Sequence, residues 1–255
     1  MEIHMTLTDV AEKPLESSSS TLSREAFLDA MVHRIDGKRH SDYPIVQDIA
    51  HGRASREQIG YLGVVFYHFT KWTPQVISTI HSRCDDRAVR RRIMDTLIDE
   101  DTELRCGSKG HDGLAMDFAT RFTGWTEADV EHFPVPQWLR DMTAYRFKVA
   151  RELPVVIALG NSGIASESHA PEMCRLISDG LREHYGVRDK DQESWIVHID
   201  GDADHSETAL RVVLDNCTTA ESQRQMLWCI DEYTRHWANF WRACEAGAVP
   251  VRTAA

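Results

Sequence analysis

The chain has 255 residues, of which 42% are hydrophobic, and a formal net charge of −11 at pH 7. This length supports the packed core of one domain, and the acidic balance argues against nucleic acid or an anionic membrane as a partner. Because no apolar run is long enough to span a bilayer and no signal-peptide pattern is present, we expect a cytoplasmic protein.

Helical patterns cover almost the whole chain after a polar, serine-rich start. Residues 1–20 have little to bury and are expected to be disordered. The periodicity from Ser23 onward predicts helices at 23–35, 42–51, 56–82, 86–104, 111–123, 134–150, 153–169, 171–185, 193–215 and 219–245. Spacings typical of capping boxes pair Ser55 with Gln58, Thr126 with Asp129, and Thr218 with Glu221. We therefore predict an all-α fold, a single helical bundle over residues 21–248 followed by a tail at 249–255.

The long predicted helix at 56–82 carries polar side chains beside its apolar stripe. Tyr67, His68 and Lys71 flank this stripe and are candidates for contact with a small-molecule substrate. Lys71 could anchor a substrate carboxylate, although a solvent-exposed lysine is the commoner arrangement. Weaker candidates of the same kind, on the sixth predicted helix, are Tyr145, Arg146 and Lys148.

Two carboxylates and a histidine interrupt apolar helix faces where buried side chains are expected. On the fourth predicted helix the apolar stripe runs into Glu100, with Glu103 close to the same face as the alternative. His111 opens the fifth helix at a position where an apolar anchor would otherwise stand. On the seventh helix the stripe leads to Glu167, and the small Gly160 would let a neighbouring helix approach closely. Taken singly, each inward Glu or His is more often a core residue than a metal ligand.

The ninth predicted helix carries His198, Asp202 and His205 at spacings of four and seven residues. This spacing puts the three side chains on one helix face, beside apolar residues that should be buried. Buried polar groups need partners, and a divalent metal would satisfy two imidazoles and a carboxylate at once. Six inward polar residues together favour metal binding, because buried carboxylates repel one another unless cations neutralise them.

The order and separation of these six residues resemble those of the heme-oxygenase-like diiron oxidases. Glu100 is followed shortly by His111, then by Glu167, and about thirty residues later by the motif His-x-x-x-Asp-x-x-His. The resemblance covers about residues 23–244. Ferritin-like diiron proteins instead carry paired Glu-x-x-His motifs, and this sequence contains none.

The resemblance implies a heme-oxygenase-like bundle, shared with the thiamin-salvage protein TenA and pyrroloquinoline-quinone synthase, that binds no heme. It implies two Fe(II) ions, with O2 as co-substrate, acting on a small amine- or carboxylate-bearing metabolite. The expected reactions are N-oxygenation, desaturation or oxidative C–C cleavage in natural-product biosynthesis, and a homodimer is the expected assembly. By the same resemblance, the ligands of one iron would be Glu100, His111 and His205, and those of the other Glu167, His198 and Asp202.

Three alternatives remain open from the sequence. The first is a metal-independent oxidase, because Arg24 to Ala30 and the segment starting at Asp86 resemble parts of pyrroloquinoline-quinone synthase. A TenA-like hydrolase is the second, and it would need a nucleophilic cysteine, for which Cys174 is the nearest candidate by position. The third is a non-catalytic bundle that binds a partner, which would leave the six inward polar residues unexplained.

Overall fold

The computed structural model describes residues 20–104 and 107–252, and for residues 200–205 it describes the backbone alone. Within these ranges the chain forms twelve α-helices and three short 3-10 turns, with no strand. The helices are α1 Arg24–Asp36, α2 Pro44–Ala50, α3 Arg56–Thr70, α4 Thr73–Ser82, α5 Arg87–Asp101, α6 His111–Thr123, α7 Glu127–Glu131, α8 Gln137–Glu152, α9 Val155–Gly163, α10 Ala170–Tyr185, α11 Glu193–Asn216 and α12 Ala220–Ala246. The predicted all-α class is confirmed. The predicted disordered segment, residues 1–20, lies outside the described residues except for Ser20.

Side-chain caps begin several of these helices as the sequence predicts. Ser55 and Gln58 form a reciprocal capping box at the start of α3, and Thr126 and Asp129 form another at the start of α7. The third predicted box, from Thr218, is wrong by one residue, because the cap of α12 is Thr219 paired with Ser222. The preceding helix α11 ends at Asn216, so Thr219 is the residue that takes the extended conformation an N-cap needs.

The predicted continuous helix at 56–82 is wrong, because the chain breaks between Thr70 and Thr73. Pro74 has no backbone N–H to donate and its ring would clash with the preceding turn of a continuous helix. In the structure Pro74 lies in the first turn of α4, where a missing N–H is tolerated. The break lets α3 pack against α6 while α4 packs against α5, the helix that carries Glu100.

The predicted helix at 153–169 also ends early, at Gly163. The chain leaves the helix at residues 164–166, and Glu167 begins a 3-10 turn, Glu167–His169, that leads into α10. Pro171 lies in the first turn of α10 and disfavours continuation of a helix across this point. Glu167 therefore lies on a turn between two helices and not on the face of one.

Gly160 allows α9 to contact α11 and α12 closely, as its small size predicts. A methyl group at Gly160 would lie 2.6 Å from both the Sδ atom of Met226 and the Cγ2 atom of Val213. The 3-10 turn that follows α9 also contacts α11. The close approach of these helices therefore positions the turn that carries Glu167 against α11.

The end of the described chain packs on the bundle. The backbone N–H of Val249 donates to the Glu57 carbonyl, and that of Arg252 donates to the Thr123 carbonyl. The part of the predicted tail that the structure describes, residues 249–252, thus lies along α3 and α6. No helix in the described ranges has the length and apolar character needed to cross a bilayer.

Candidate metal centre

Glu100 and His111 meet where α5 ends and α6 begins. Both side chains are buried, and His111 Nδ1 lies 3.1 Å from Glu100 Oε2. Gly110 permits this approach, because a methyl group there would lie 2.9 Å from the carbonyl carbon of Asp101. The glycine before His111 therefore lets the first turn of α6 contact the last turn of α5, which brings the imidazole beside the carboxylate.

His198 joins this pair from α11. Its ring centroid lies 4.6 Å from that of His111, and its Nδ1 lies 2.7 Å from the Ser194 carbonyl oxygen. A carbonyl can only accept, so Nδ1 carries the proton in the neutral ring and Nε2 keeps its lone pair. Hydrogen bonding of one ring nitrogen to a carbonyl is the usual way in which a metal-binding histidine is oriented.

The three side chains form a donor set that fits ferrous iron. One donor atom from each of Glu100, His111 and His198 lies within 4.8 Å of the other two. Two imidazoles with one carboxylate, leaving coordination positions open, is the arrangement that non-heme Fe(II) oxygenases use. The chemistry of these donors and their spacing therefore suit an iron ion.

A cavity of about 60 Å³ adjoins this cluster. Glu100, His198 and Glu167 line it, so the turn that carries Glu167 brings a further carboxylate to the same space. Most of the surface of its wall is apolar, and the residues that contribute to it include Phe66, Phe69, Ala170, Met173 and Trp237. An apolar wall excludes water and strengthens electrostatic interactions between the polar groups that remain.

The rest of the predicted ligand set is only partly described. Asp202 and His205 lie within helix α11, and their side chains fall outside the described residues. The structure groups His198 with Glu100 and His111, whereas the predicted division assigned it to the other iron with Glu167. Glu103, the alternative to Glu100, is exposed. The complete six-residue ligand set stays a prediction.

The substrate candidates on α3 do not line the cavity. Tyr67 donates a hydrogen bond to the Glu131 carboxylate, which also accepts from Lys71 at 3.1 Å, and His68 Nε2 lies 2.8 Å from the Val130 carbonyl oxygen. These three side chains face α7, because the face of α3 that borders the cavity is formed by Phe66, Phe69 and Thr70. Their role in substrate binding stays a prediction that the cavity lining does not support.

Tyr145 likewise packs away from the cavity lining. Its hydroxyl donates to Asn161 Oδ1 at 2.8 Å and lies 3.1 Å from the Cys229 carbonyl oxygen, and burial raises its pKa well above the usual range. The adjacent residue Arg146 does line the cavity. On α8 the one-residue step rotates the side chain by about 100°, so of these two sequence candidates only Arg146 lines the cavity.

His40 is a cavity residue for which the sequence offers no signal. It lies in the 3-10 turn His40–Asp42, outside any helical stripe, and its ring is 4.7 Å from that of Trp237. Burial, with a smaller contribution from the charge of His169, lowers the pKa of His40 to about 3. The imidazole of His40 is therefore neutral at physiological pH.

This burial predicts a loss of stability in acid that depends on His40. The folded pKa is about 3 and that of an unfolded histidine about 6.5, so below pH 6.5 the unfolded state binds a proton that the folded state does not. We expect the free energy of unfolding to fall by up to about 1.4 kcal/mol per pH unit from this residue. Urea unfolding of the wild type and of His40→Gln at pH 7 and pH 5 measures this slope, and parallel losses in the two proteins would contradict the prediction.

Comparisons with known proteins agree with an iron site. A family model described as "iron-containing redox enzyme" matches residues 62–238. The 4-aminobenzoate synthase of Chlamydia pneumoniae is 25% identical over 182 residues, which cover 71% of this chain and 78% of that protein. The 4-aminobenzoate synthase of Nitrosomonas europaea is 25% identical over 190 residues, covering 69% and 73%.

Solved structures resemble the chain in fold. A TenA homologue from Pseudomonas syringae superposes with a TM-score of 0.73 at 13% identity, covering 88% of this chain and 96% of its own. A domain with a heme oxygenase-like fold from Shewanella denitrificans superposes with a TM-score of 0.72 at 14% identity, covering 92% and 100%. At such identities the likeness concerns fold alone, and it confirms the predicted heme-oxygenase-like bundle.

Proposed function

Because the chain belongs to the family of iron-containing redox enzymes, we propose that it is an O2-dependent oxidase or oxygenase with a non-heme diiron site. The observation that carries the proposal is the buried convergence of Glu100, His111 and His198 beside an apolar cavity. We assign these three side chains as ligands of the iron centre. Bound iron would supply the one-electron chemistry through which O2 reacts with an organic substrate.

We propose that Glu167, Asp202 and His205 complete the site. Support for Glu167 comes from its place in the lining of the same cavity as Glu100 and His198. Asp202 and His205 lie four and seven residues after His198 in one helix, so their Cα atoms share its face. Four carboxylate or imidazole ligands are too few for two ions, and the six residues together provide three for each.

The surrounding residues orient the site and keep it dry. The Ser194 carbonyl accepts the Nδ1 proton of His198 and so directs Nε2 away from that bond. Phe66 stacks on Trp195 at 4.5 Å, and its edge contact with the His198 ring restricts rotation of the imidazole. Burial raises the pKa of Tyr233, which therefore holds its proton on the phenol oxygen at the cavity wall.

The proposed substrate is a small amine- or carboxylate-bearing metabolite. The two relatives are named for 4-aminobenzoate, a compound with one amine and one carboxylate. Extending this class to the present chain is consistent with a small cavity that has both acidic and cationic side chains in its wall. The reaction would be N-oxygenation, desaturation or oxidative C–C cleavage.

Anaerobic titration with Fe(II), followed by mixing with O2, tests the proposal. We expect two Fe(II) per chain, and O2 consumption together with a transient visible absorption in the iron-loaded protein alone. Absence of specific Fe(II) binding by folded protein would contradict the proposal and favour a metal-independent oxidase.

The hydrolase alternative has one feature in its favour, since Cys174 is buried and lines the same cavity. The variant Cys174→Ala separates the two functions in the same assay. Iron-dependent O2 consumption that survives removal of the thiol supports the oxidase, because a hydrolase would depend on the nucleophile.

A further inference from the structure

Arg146 is a buried cation in the cavity wall. Its side chain projects from α8 and is 3% exposed. Nη1 donates to the Phe69 carbonyl oxygen at 3.0 Å, and Nη2 donates to Thr73 Oγ1 at 2.8 Å. The guanidinium carbon lies 4.2 Å from the centroid of the Phe69 ring. These contacts hold the guanidinium in one orientation, because they engage two of its nitrogens and one face.

No carboxylate among the described residues pairs with this guanidinium, and its Nε has no hydrogen-bond partner there. A buried arginine normally has a carboxylate partner, because an ionised group loses its hydration on burial. A carbonyl, a hydroxyl and an aromatic face compensate for only part of this loss. The cavity wall therefore includes a buried positive charge, and this side chain keeps an N–H donor that is unused among the described residues.

Tyr233 lines the cavity together with Arg146 and the acidic residues Glu100 and Glu167. Burial raises the pKa of the Tyr233 phenol, the charge of Arg146 opposes this, and the charges of Glu167 and Glu100 add to it. Both the cationic and the acidic groups of the cavity therefore affect the pKa of this phenol. Because Glu100 and Glu167 are the proposed iron ligands, bound iron would neutralise them and leave the Arg146 charge unbalanced.

We propose that Arg146 binds a carboxylate group of the substrate and so orients the reacting group of that substrate toward Glu100 and His198. The second half of this proposal rests on the proposed iron site, whereas binding of the carboxylate does not. The Nε–H and an Nη–H of a guanidinium match the two oxygens of a carboxylate. A cavity of about 60 Å³ favours a compact acid.

The test compares acids with uncharged amides of the same shape. Propionate with propionamide, and benzoate with benzamide, are titrated by ligand-detected NMR into protein that is either metal-free or anaerobically loaded with Fe(II). We expect the iron-loaded protein to bind at least one acid about tenfold or more tightly than its amide. Equal binding of acid and amide in both pairs would overturn the proposal.

Variants at two arginines of α8 test whether Arg146 causes the preference for acids over amides. Arg146→Gln should abolish the preference for the acid, and Arg146→Lys should reduce it at least threefold, because an ammonium cannot form the same paired contact. Arg140→Gln, at an exposed position of the same helix, should leave it unchanged. A preference that persists in Arg146→Gln overturns the proposal. If circular dichroism shows that Arg146→Gln is unfolded, Arg146→Lys decides, and an unchanged preference in that variant also overturns it.

Fe(II) stoichiometry, measured on each variant, separates this proposal from the iron site. Arg146 variants that bind Fe(II) normally but lose the preference for acids support the carboxylate anchor. If Fe(II) binds neither the wild type nor any variant, but the preference for acids still depends on Arg146, the diiron function is contradicted. The proposal that Arg146 binds a carboxylate is then still supported.

Discussion

Glu100→Ala and His198→Ala are expected to lower the affinity for Fe(II) by a factor of at least about 100, with loss of iron-dependent O2 consumption. Loss of groups that merely orient a metal ligand already weakens metal binding 10- to 100-fold, so loss of a ligand should have a larger effect. Both side chains provide donor atoms of the buried cluster. The measurement is anaerobic Fe(II) titration of each purified variant.

The matched control for this experiment is Glu103→Ala. Glu103 follows Glu100 by three residues and is exposed beyond the end of α5. Its replacement should therefore leave Fe(II) affinity within about twofold of the wild type, as for a surface substitution. If Glu103→Ala and Glu100→Ala weaken binding equally, the loss reflects overall negative charge and the assignment of Glu100 is wrong.

Gly180→Ala is expected to destabilise the fold by about 2 kcal/mol or more, although alanine is the better helix former by about 1 kcal/mol. A methyl group at Gly180 would lie 2.7 Å from the Cα atom of Ala50 and 2.8 Å from the carbonyl carbon of Ile49. These atoms belong to the backbone of α2, so relief requires that α2 and α10 separate. Thermal unfolding should show a Tm lower by about 4 to 8 °C.

Gly37→Ala provides the comparison for this second experiment. Gly37 follows α1 with a φ of −71°, and a methyl group there would lie 3.7 Å from the nearest atom, the His33 carbonyl oxygen. This substitution should leave Tm unchanged or raise it slightly, because it restricts the unfolded chain without strain in the folded one. A Tm for Gly180→Ala at or above that of Gly37→Ala would show that the two helices are not in close contact.

The close contact between α2 and α10 also affects the cavity. His40 begins the 3-10 turn that leads into α2, and Met173 and Cys174 lie on α10. All three residues line the cavity. Separation of these helices would therefore widen the cavity. A loss of ligand binding in Gly180→Ala that accompanies a lower Tm would therefore reflect the separation of these helices.

The sequence alone determines that the fold is all-α and which residues of a helix face inward. Periodicity predicts α6 at its observed bounds, and it identifies Glu100, His111 and His198 as inward-facing polar residues that the structure brings together. Helix periodicity is a local property, since it depends on side chains three and four residues apart on one face. Such a signal is contained in the sequence of each helix.

Only the tertiary structure decides which neighbour covers each inward face. Tyr67 and Lys71 face α7, Arg146 reaches the cavity where Tyr145 does not, and His40 arrives from a 3-10 turn. Glu167 reaches the cavity from a turn because Pro171 restarts the chain as α10. These placements depend on contacts between residues far apart in the chain, and the periodicity of a single helix contains no information about them.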